Sequence, residues 1–163
     1  MKRLLLNVIL THVFCIISYS SYSQRYEWDY YEIGFEVAGD FNVSENNGDQ
    51  FSAISSDAEI FVHIEPWFDE DLNEDNIEDV ILDLADDLEY NEGNEIVKND
   101  YIEIDDFNGY YLLSVPRDYP FDYVFIALLM DIESSTNLFI SIGFNEGNIE
   151  EAEDILYSFY AYD

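Results

Sequence analysis

Residues 123–144, YVFIALLMDIESSTNLFISIGF, decide the fold of this chain. They contain two short apolar runs, 123–131 and 138–144, on either side of a polar segment. Short apolar runs bounded by turn-forming residues are typical of strands that lie in the middle of a sheet or are covered on both faces. Because a short polar turn joins the two runs, we expect the strands to pair antiparallel.

Two further strands are predicted just before this pair. Residues 95–105 include Tyr101 and three isoleucines, and residues 110–115, YYLLSV, are apolar enough for a central position. Asn108-Gly109 lies between them, and Asn-Gly is a dipeptide that closes tight hairpins. We therefore expect a turn at this dipeptide and a meander of four antiparallel strands.

The N-terminal half predicts three more strands. They cover residues 33–43, 51–54 and 58–64. Asn47-Gly48 predicts the turn between the first two. In the third, alternation places four apolar side chains on one face: Ala58, Ile60, Val62 and Ile64. Pro66 cannot donate to a ladder, so it ends this strand or marks an edge.

Two segments have helical periodicity instead. The first carries an apolar stripe of Ile77, Val80, Ile81, Leu84, Ala85 and Leu88. Asn73 or Asn76 can cap its start, and Gly93 can end it. The second carries Ile149, Ala152, Ile155, Leu156 and Phe159, and Asn148 with Glu151 matches a capping box. The order of elements predicts an α+β fold, an antiparallel sheet covered by two amphipathic helices.

This layout resembles the Mog1/PsbP-like fold, which includes many small secreted bacterial proteins. The resemblance is carried by four stretches in order: AEIFVHIEP at 58–66, FNGY at 107–110, LFISI at 138–142 and EEAEDILYSF at 150–159. In the last stretch, Ile155, Leu156, Ser158 and Phe159 match the end of that group's final helix. The resemblance implies a sandwich and accessory or protein-binding work, with no site residue that can be transferred.

The N-terminus predicts export. Lys2 and Arg3 precede a short apolar run, and Ser21-Tyr22-Ser23 has the small residues of a cleavage site. Residues 1–23 are therefore predicted to be a signal peptide, and residues 24–163 a single domain in the periplasm or outside the cell. The apolar run is too short for a stable membrane anchor. Lipidation of Cys15 is the alternative, although Val13 and Phe14 stand where small residues are normally found.

The chain is strongly acidic, with 37 Asp and Glu residues, five Lys and Arg residues and a net charge of −32. Like charges repel, so the charge argues against nucleic acid and anionic lipid as partners and favours basic proteins, cationic peptides or divalent cations. The high apolar fraction and clear periodicity are typical of a folded domain and not of a disordered chain.

The same charge predicts a salt-dependent stability. Repulsion between carboxylates weakens the folded state most at low ionic strength, because counterions then screen it least. We expect the melting temperature to rise by roughly 3 °C or more when NaCl is raised from about 10 to about 150 mM. A melting curve that is the same at both salt concentrations would show that the charges are already well dispersed.

One acidic segment is a candidate calcium site. Alternate positions place four possible ligands, Asp69, Asp71, Asn73 and Asp75, in the spacing of an EF-hand loop. Glu74 stands where that loop needs glycine, and Val80 stands where it needs glutamate, so a specific EF-hand is excluded. Loose calcium association is the only cofactor interaction that the sequence predicts.

His63 is the one histidine of residues 24–163, and it shares a strand face with Glu59 and Glu65. The three could form a metal site or a general base, or His63 could simply be a half-exposed strand residue among acidic neighbours, which is the interpretation we favour. Trp28 and Trp67 are interpreted as packing or rim residues.

No nucleophile elbow, phosphate-binding loop or zinc-protease motif is present in the sequence. We therefore expect a non-catalytic module that binds a protein through its sheet or an exposed edge. Two alternatives stay open: an acidic inhibitor or immunity-type protein directed at a basic partner, and a carboxylate-rich protein that associates with calcium.

Overall fold

A computed structural model describes residues 23–88, 95–117, 119–131 and 136–162. The predicted signal peptide apart from Ser23, Cys15 within it and the predicted helix end at Gly93 lie outside these residues. So does most of residues 133–137, the polar segment that is predicted to turn the chain between the two apolar runs.

The described residues form ten strands, two α-helices and one 3-10 turn. In chain order they are β1 (Gln24–Trp28), β2 (Ile33–Val37), β3 (Phe41–Asn46), β4 (Phe51–Ser55), β5 (Ile60–Trp67), α1 (Ile77–Asp87), β6 (Glu95–Ile104), β7 (Phe107–Val115), β8 (Tyr123–Asp131), β9 (Asn137–Phe144), the 3-10 turn (Glu146–Asn148), α2 (Ile149–Leu156) and β10 (Tyr160–Ala161).

The strands form two sheets. Seven of them make a large sheet in the order β3-β4-β5-β9-β8-β7-β6, and β1-β2-β10 make a small one. All described pairings are antiparallel. The β5–β9 pair joins the N-terminal strands to the C-terminal meander. This arrangement confirms the predicted α+β fold with an antiparallel sheet.

A helix lies on each face of the large sheet. On one face, α1 buries Ile77, Ile81 and Ala85 against β7, β8 and β9. On the other face, α2 and the small sheet bury an aromatic core that includes Trp28, Phe35, Phe51, Phe125, Phe144 and Phe159. Strands β8 and β9 are therefore covered on both sides, as their apolar runs predict, because a strand gains most from burial when neither face meets water.

The predicted strand at 33–43 is wrong in one respect, since the chain forms two strands there. Strand β2 belongs to the small sheet and β3 to the large one. Residues 38–40 lie between them and are only partly covered. The alternation of apolar and polar residues continues through this bend, so the sequence pattern does not reveal it. The sequence pattern does not predict the first strand, β1, because it is mostly exposed and has little apolar periodicity.

The predicted turn at Asn108-Gly109 is also wrong. Both residues lie inside β7, and the turn before it is made by Asp105 and Asp106, with Asp105 at a φ of 33°. Gly109 is needed for close approach. An ideal Cβ there would lie 2.3 Å from the Leu128 carbonyl oxygen of β8. The other Asn-Gly pair, at residues 47–48, does turn the chain between β3 and β4.

Three smaller corrections concern the ends of elements. Asn76 and Asn148 stand at the N-cap positions of α1 and α2, but neither side chain makes a capping hydrogen bond. Ala58 has a φ of 62° and lies in the turn before β5. Pro66 lies within β5 opposite Leu138, beyond the last residue that pairs with β4, so it is a local edge position.

Candidate protein-docking surface

Strand β6 is one end of the large sheet. It pairs with β7 along one side, and no strand of the described residues pairs with its other side. In an antiparallel sheet, alternate N–H and C=O groups of a terminal strand point outward. The outward-pointing backbone groups of this ten-residue strand are thus available for hydrogen bonds to another strand. A bulge between Ile96 and Lys98 interrupts the regular alternation.

The opposite edge, β3, is partly covered. The Tyr26 hydroxyl donates to the Phe41 carbonyl (3.0 Å) and accepts from the Phe41 N–H (2.9 Å). The Trp28 ring N–H donates to the Asn47 carbonyl at 2.6 Å. The small sheet therefore shields the rim of β3. On β6, within the described part of the chain, the one side-chain bond to backbone is local, from the Tyr101 N–H to Asp100.

Strand β6 also exposes apolar side chains. Val97 is 52% exposed, Tyr101 is 57% exposed, and Ile96 of the same strand is exposed as well. Val115, at the end of the adjoining strand β7, is also exposed. Long terminal strands with exposed apolar residues tend to pair with another chain, and natural proteins usually protect them. An exposed apolar group with a polar rim is typical of an interaction site.

A groove runs between β6 and α1. Tyr101 pairs with Tyr110 of β7, so both side chains are on the face that α1 covers. Helix α1 packs on β7 and β8 and leaves β6 open. A cavity of about 330 Å³ results, lined by Glu74, Ile77, Tyr101, Glu103, Asn108 and Met130 among others.

The floor of the groove is held by aromatic and carboxylate contacts. The Tyr101 and Tyr110 rings meet edge to face with centroids 4.8 Å apart. The Tyr110 hydroxyl donates to Glu78 of α1 at 3.0 Å, and Asn108 donates to Glu74 at 3.2 Å. Burial, and then the hydrogen bond and charge of Glu78, raise the pKa of Tyr110 from 10 to about 12.

This raised pKa predicts an alkaline loss of stability. Below pH 10 both folded and unfolded chains keep the Tyr110 proton, but between pH 10 and about pH 12 the unfolded chain loses it first, so stability falls as pH rises. Glu78→Gln keeps an acceptor but removes the charge, so the pKa of Tyr110 should fall toward 10. Carbon NMR of the tyrosine ring measures it, with Asp86→Asn on the outer face of α1 as control. An unchanged pKa in Glu78→Gln would contradict the assigned contact.

The predicted calcium residues lie in the loop before α1, where the loop uses several of them itself. The Asp69 carboxylate accepts the Asp71 N–H at 2.9 Å, and the Asn73 side-chain oxygen accepts the Asp75 N–H at 2.9 Å. The Asn73 amide donates to the Asp71 carbonyl at 2.7 Å. No three His, Cys, Asp or Glu side chains of the described residues converge as metal ligands. Loose calcium association stays a prediction.

His63 is brought together with one of its two predicted partners. Its Nε2 lies 3.0 Å from Glu65, while the Glu59 carboxylate accepts from Asn145 instead. Nδ1 of His63 lies 2.8 Å from the hydroxyl of Ser52, a buried β4 residue that the sequence did not indicate. In a nucleophilic triad the serine bonds Nε2 and is open to substrate. This arrangement differs on both counts and instead links β4 to β5.

The two tryptophans take different positions. Trp28 is buried in the core on the α2 face. Trp67 is half-buried and packs against the apolar core that α1 forms with β7, β8 and β9. The neighbouring Phe68 is 73% exposed beside the acidic loop and lines a second cavity of about 590 Å³, which shares Met130 with the groove. Packing is the main role of both tryptophans here.

No protein-family profile and no curated protein matches this chain in sequence. Solved structures do match its fold. The solution structure of cyanobacterial PsbP (CyanoP) from Synechocystis sp. PCC 6803 is 11% identical with a TM-score of 0.61, and the match covers 90% of this chain and 96% of that one. The fold is PsbP-like.

A crystal structure from Bacteroides thetaiotaomicron VPI-5482 also matches, at 14% identity and a TM-score of 0.51. The match covers 86% of this chain and 48% of that one, so this chain spans about half the length of the Bacteroides protein. At these identities the likeness shows the PsbP-like fold and not a shared role.

Within this PsbP-like fold, sequence reasoning does not locate the candidate docking surface. The pattern places Ile96 and Tyr101 in a predicted strand, but it does not show that this strand, β6, is terminal. The signal that could have indicated it is the crowding of charged and polar residues in 95–100 around Ile96 and Val97. No helix within the described ranges is long and apolar enough to cross a membrane.

Proposed function

We propose that this chain is an exported accessory module that binds a protein partner through the free edge of β6. The observation that carries the proposal is a terminal strand of ten residues, with Val97 and Tyr101 exposed, whose outer side pairs with no strand of the described residues. An extended segment of the partner would add to the sheet as an eighth strand. Main-chain hydrogen bonds would supply affinity, and side chains on alternate positions would supply specificity.

The charge around this edge indicates the kind of partner. Strand β6 carries Glu95, Asp100 and Glu103, and Glu74 lines the groove beside it. Glu78 of α1 adds a further carboxylate, which accepts the Tyr110 hydroxyl. Lys98 is the strand's one basic residue, and it donates to Glu153 of α2 at 3.2 Å. A basic segment would be attracted to this surface, and its binding would weaken as salt increases.

A site-specific photo-cross-linker can test the proposal in the cells that make this protein. The cross-linking residue replaces Val97 or Tyr101 on β6, and Val43 on β3 is the control position, since Val43 is also an exposed edge residue at 44%. We expect cross-links to one partner from the β6 positions and none from position 43. Cross-links from position 43 alone, or from all positions equally, would contradict the proposal.

The partner identified in this way is then purified and its affinity measured. The double variant Ile96→Ser, Val97→Ser removes the exposed apolar contacts without changing the charge, and Val43→Ser is the matched control. We expect the double variant to bind about tenfold more weakly or worse, and the control to bind within about twofold of the unmodified chain. All three side chains are exposed, so the variants should fold. Equal affinities would overturn the proposal.

A further inference from the structure

We propose that the cavity between α1 and β6 is a subsite for a lysine or arginine side chain of the partner's added strand. This inference rests on the proposed function, because the added strand delivers the side chain. It assigns a ligand class, the alkyl-ammonium or alkyl-guanidinium group, to a cavity of about 330 Å³.

The lining of the cavity fits such a side chain at both ends. Ile77, Met130 and the Tyr101 ring offer apolar and aromatic surface, and Glu74 and Glu103 offer carboxylates. Lysine and arginine lay their methylene stems along apolar surface and keep the charged group at a polar rim. The volume is at the lower end of small-molecule pockets, and is suited to one side chain.

The register of β6 places the cavity within reach of an added strand. Tyr101 lies opposite Tyr110 and Glu103 lies opposite Asn108, so both are on the α1 face of β6. Side chains of a neighbouring strand lie directly opposite such residues on the same face. A strand paired outside β6 would therefore direct one of its alternate side chains at the Tyr101–Glu103 position.

The electrostatics favour a cation over other side chains. Among the residues that the structure describes, no lysine or arginine lines the cavity. Lys98 of the same strand lies opposite Leu113 and contacts Glu153, on the other face of the sheet. An acidic side chain would be repelled by Glu74 and Glu103. An apolar side chain would displace water from these carboxylates without donating a hydrogen bond in its place. The exposed Tyr101 ring adds a cation–π surface.

Three synthetic peptides test the subsite. Each is a blocked, extended segment of alternating valine and threonine, and its central residue is lysine, norleucine or glutamate. Binding to the full chain is followed by amide and methyl NMR. We expect the lysine peptide to bind at least tenfold more tightly than the norleucine peptide and the glutamate peptide to bind most weakly, with β6 amides and the Met130 methyl shifting together.

A pair of double variants separates the subsite from the general charge of the chain. Glu74→Gln, Glu103→Gln should reduce the preference for lysine over norleucine to about twofold or less. Asp83→Asn, Asp86→Asn removes the same charge from exposed positions of α1 and should keep the preference. Loss of the preference in both variants would overturn the subsite, because the general negative charge of the chain would then explain the preference for lysine.

The outcomes distinguish the two proposals. Equal binding of lysine and norleucine peptides with β6 amides shifting would overturn the subsite and support strand addition. Shifts of Met130 with the lysine peptide but none in β6 would support a cation site and overturn strand addition. Absence of binding by all three peptides at millimolar concentration would overturn both.

Discussion

Alanine at position 109 is expected to lower the free energy of unfolding by about 3 kcal/mol. Gly109 lies in the middle of β7, where an ideal Cβ would be 2.3 Å from the Leu128 carbonyl oxygen and 2.7 Å from Leu129 Cδ2. The first of these contacts is to backbone, so it can be relieved only by moving β8 away from β7. Urea denaturation followed by circular dichroism gives the change.

The matched control is Gly147→Ala. A Cβ at Gly147, in the 3-10 turn before α2, would have no atom of the described residues within 4 Å apart from its own chain neighbours. We expect its free energy of unfolding to stay within about 0.5 kcal/mol of the unmodified chain. If Gly109→Ala were as stable as Gly147→Ala, the close approach of β7 and β8 at this point would be wrong.

Phe144→Ala is expected to cost about 3–5 kcal/mol, the other large effect. Phe144 is 0% exposed at the end of β9, and its ring lies 5.2 Å from that of Phe125 and 5.7 Å from that of Tyr123. Truncation would leave a cavity between the large sheet and the elements that cover its α2 face, and three antiparallel strands meet there, so relaxation is limited.

Phe68→Ala makes the same substitution at the exposed phenylalanine and is the control. Its side chain gains little from burial, so we expect a change of at most about 1 kcal/mol. Both variants can be measured in the same urea titration. Similar costs for the two would contradict the assignment of Phe144 to the core and of Phe68 to the surface.

The sequence predicts the elements whose pattern is local and strong. The apolar run at 123–131 coincides with β8, and the stripe of Ile77, Ile81 and Ala85 is the buried face of α1. These two predictions are correct because the apolar periodicity of a single element is set by that element alone. The resemblance to a PsbP-like layout follows from the order of the same elements.

The two Asn-Gly pairs show where local pattern stops being enough. The pair at 47–48 is a turn, and the pair at 108–109 is mid-strand. The dipeptide is compatible with both conformations, and at Gly109 the strand conformation follows from pairing with Leu129 of β8, which is distant in sequence. Ser52 beside His63 depends in the same way on the pairing of β4 with β5.

The proposed docking surface depends on an even less local property. A strand is terminal only in relation to all the others, and the chain order does not show that β6 ends the sheet while β9 is central. The acidity of the surface can be read from the sequence, and it predicts a basic partner. The groove cannot be predicted from the sequence, because it exists only where α1 packs on β7 and β8 and leaves β6 open.

Amide hydrogen exchange along β6, with and without the bound partner, tests the central claim most directly. In the free chain, alternate amides of β6 point outward and should exchange rapidly. In the complex we expect these amides to exchange at least tenfold more slowly, while the amides of β3 are unchanged. Protection that arises at β3 or elsewhere, with β6 unchanged, would contradict the assignment of β6 as the docking edge.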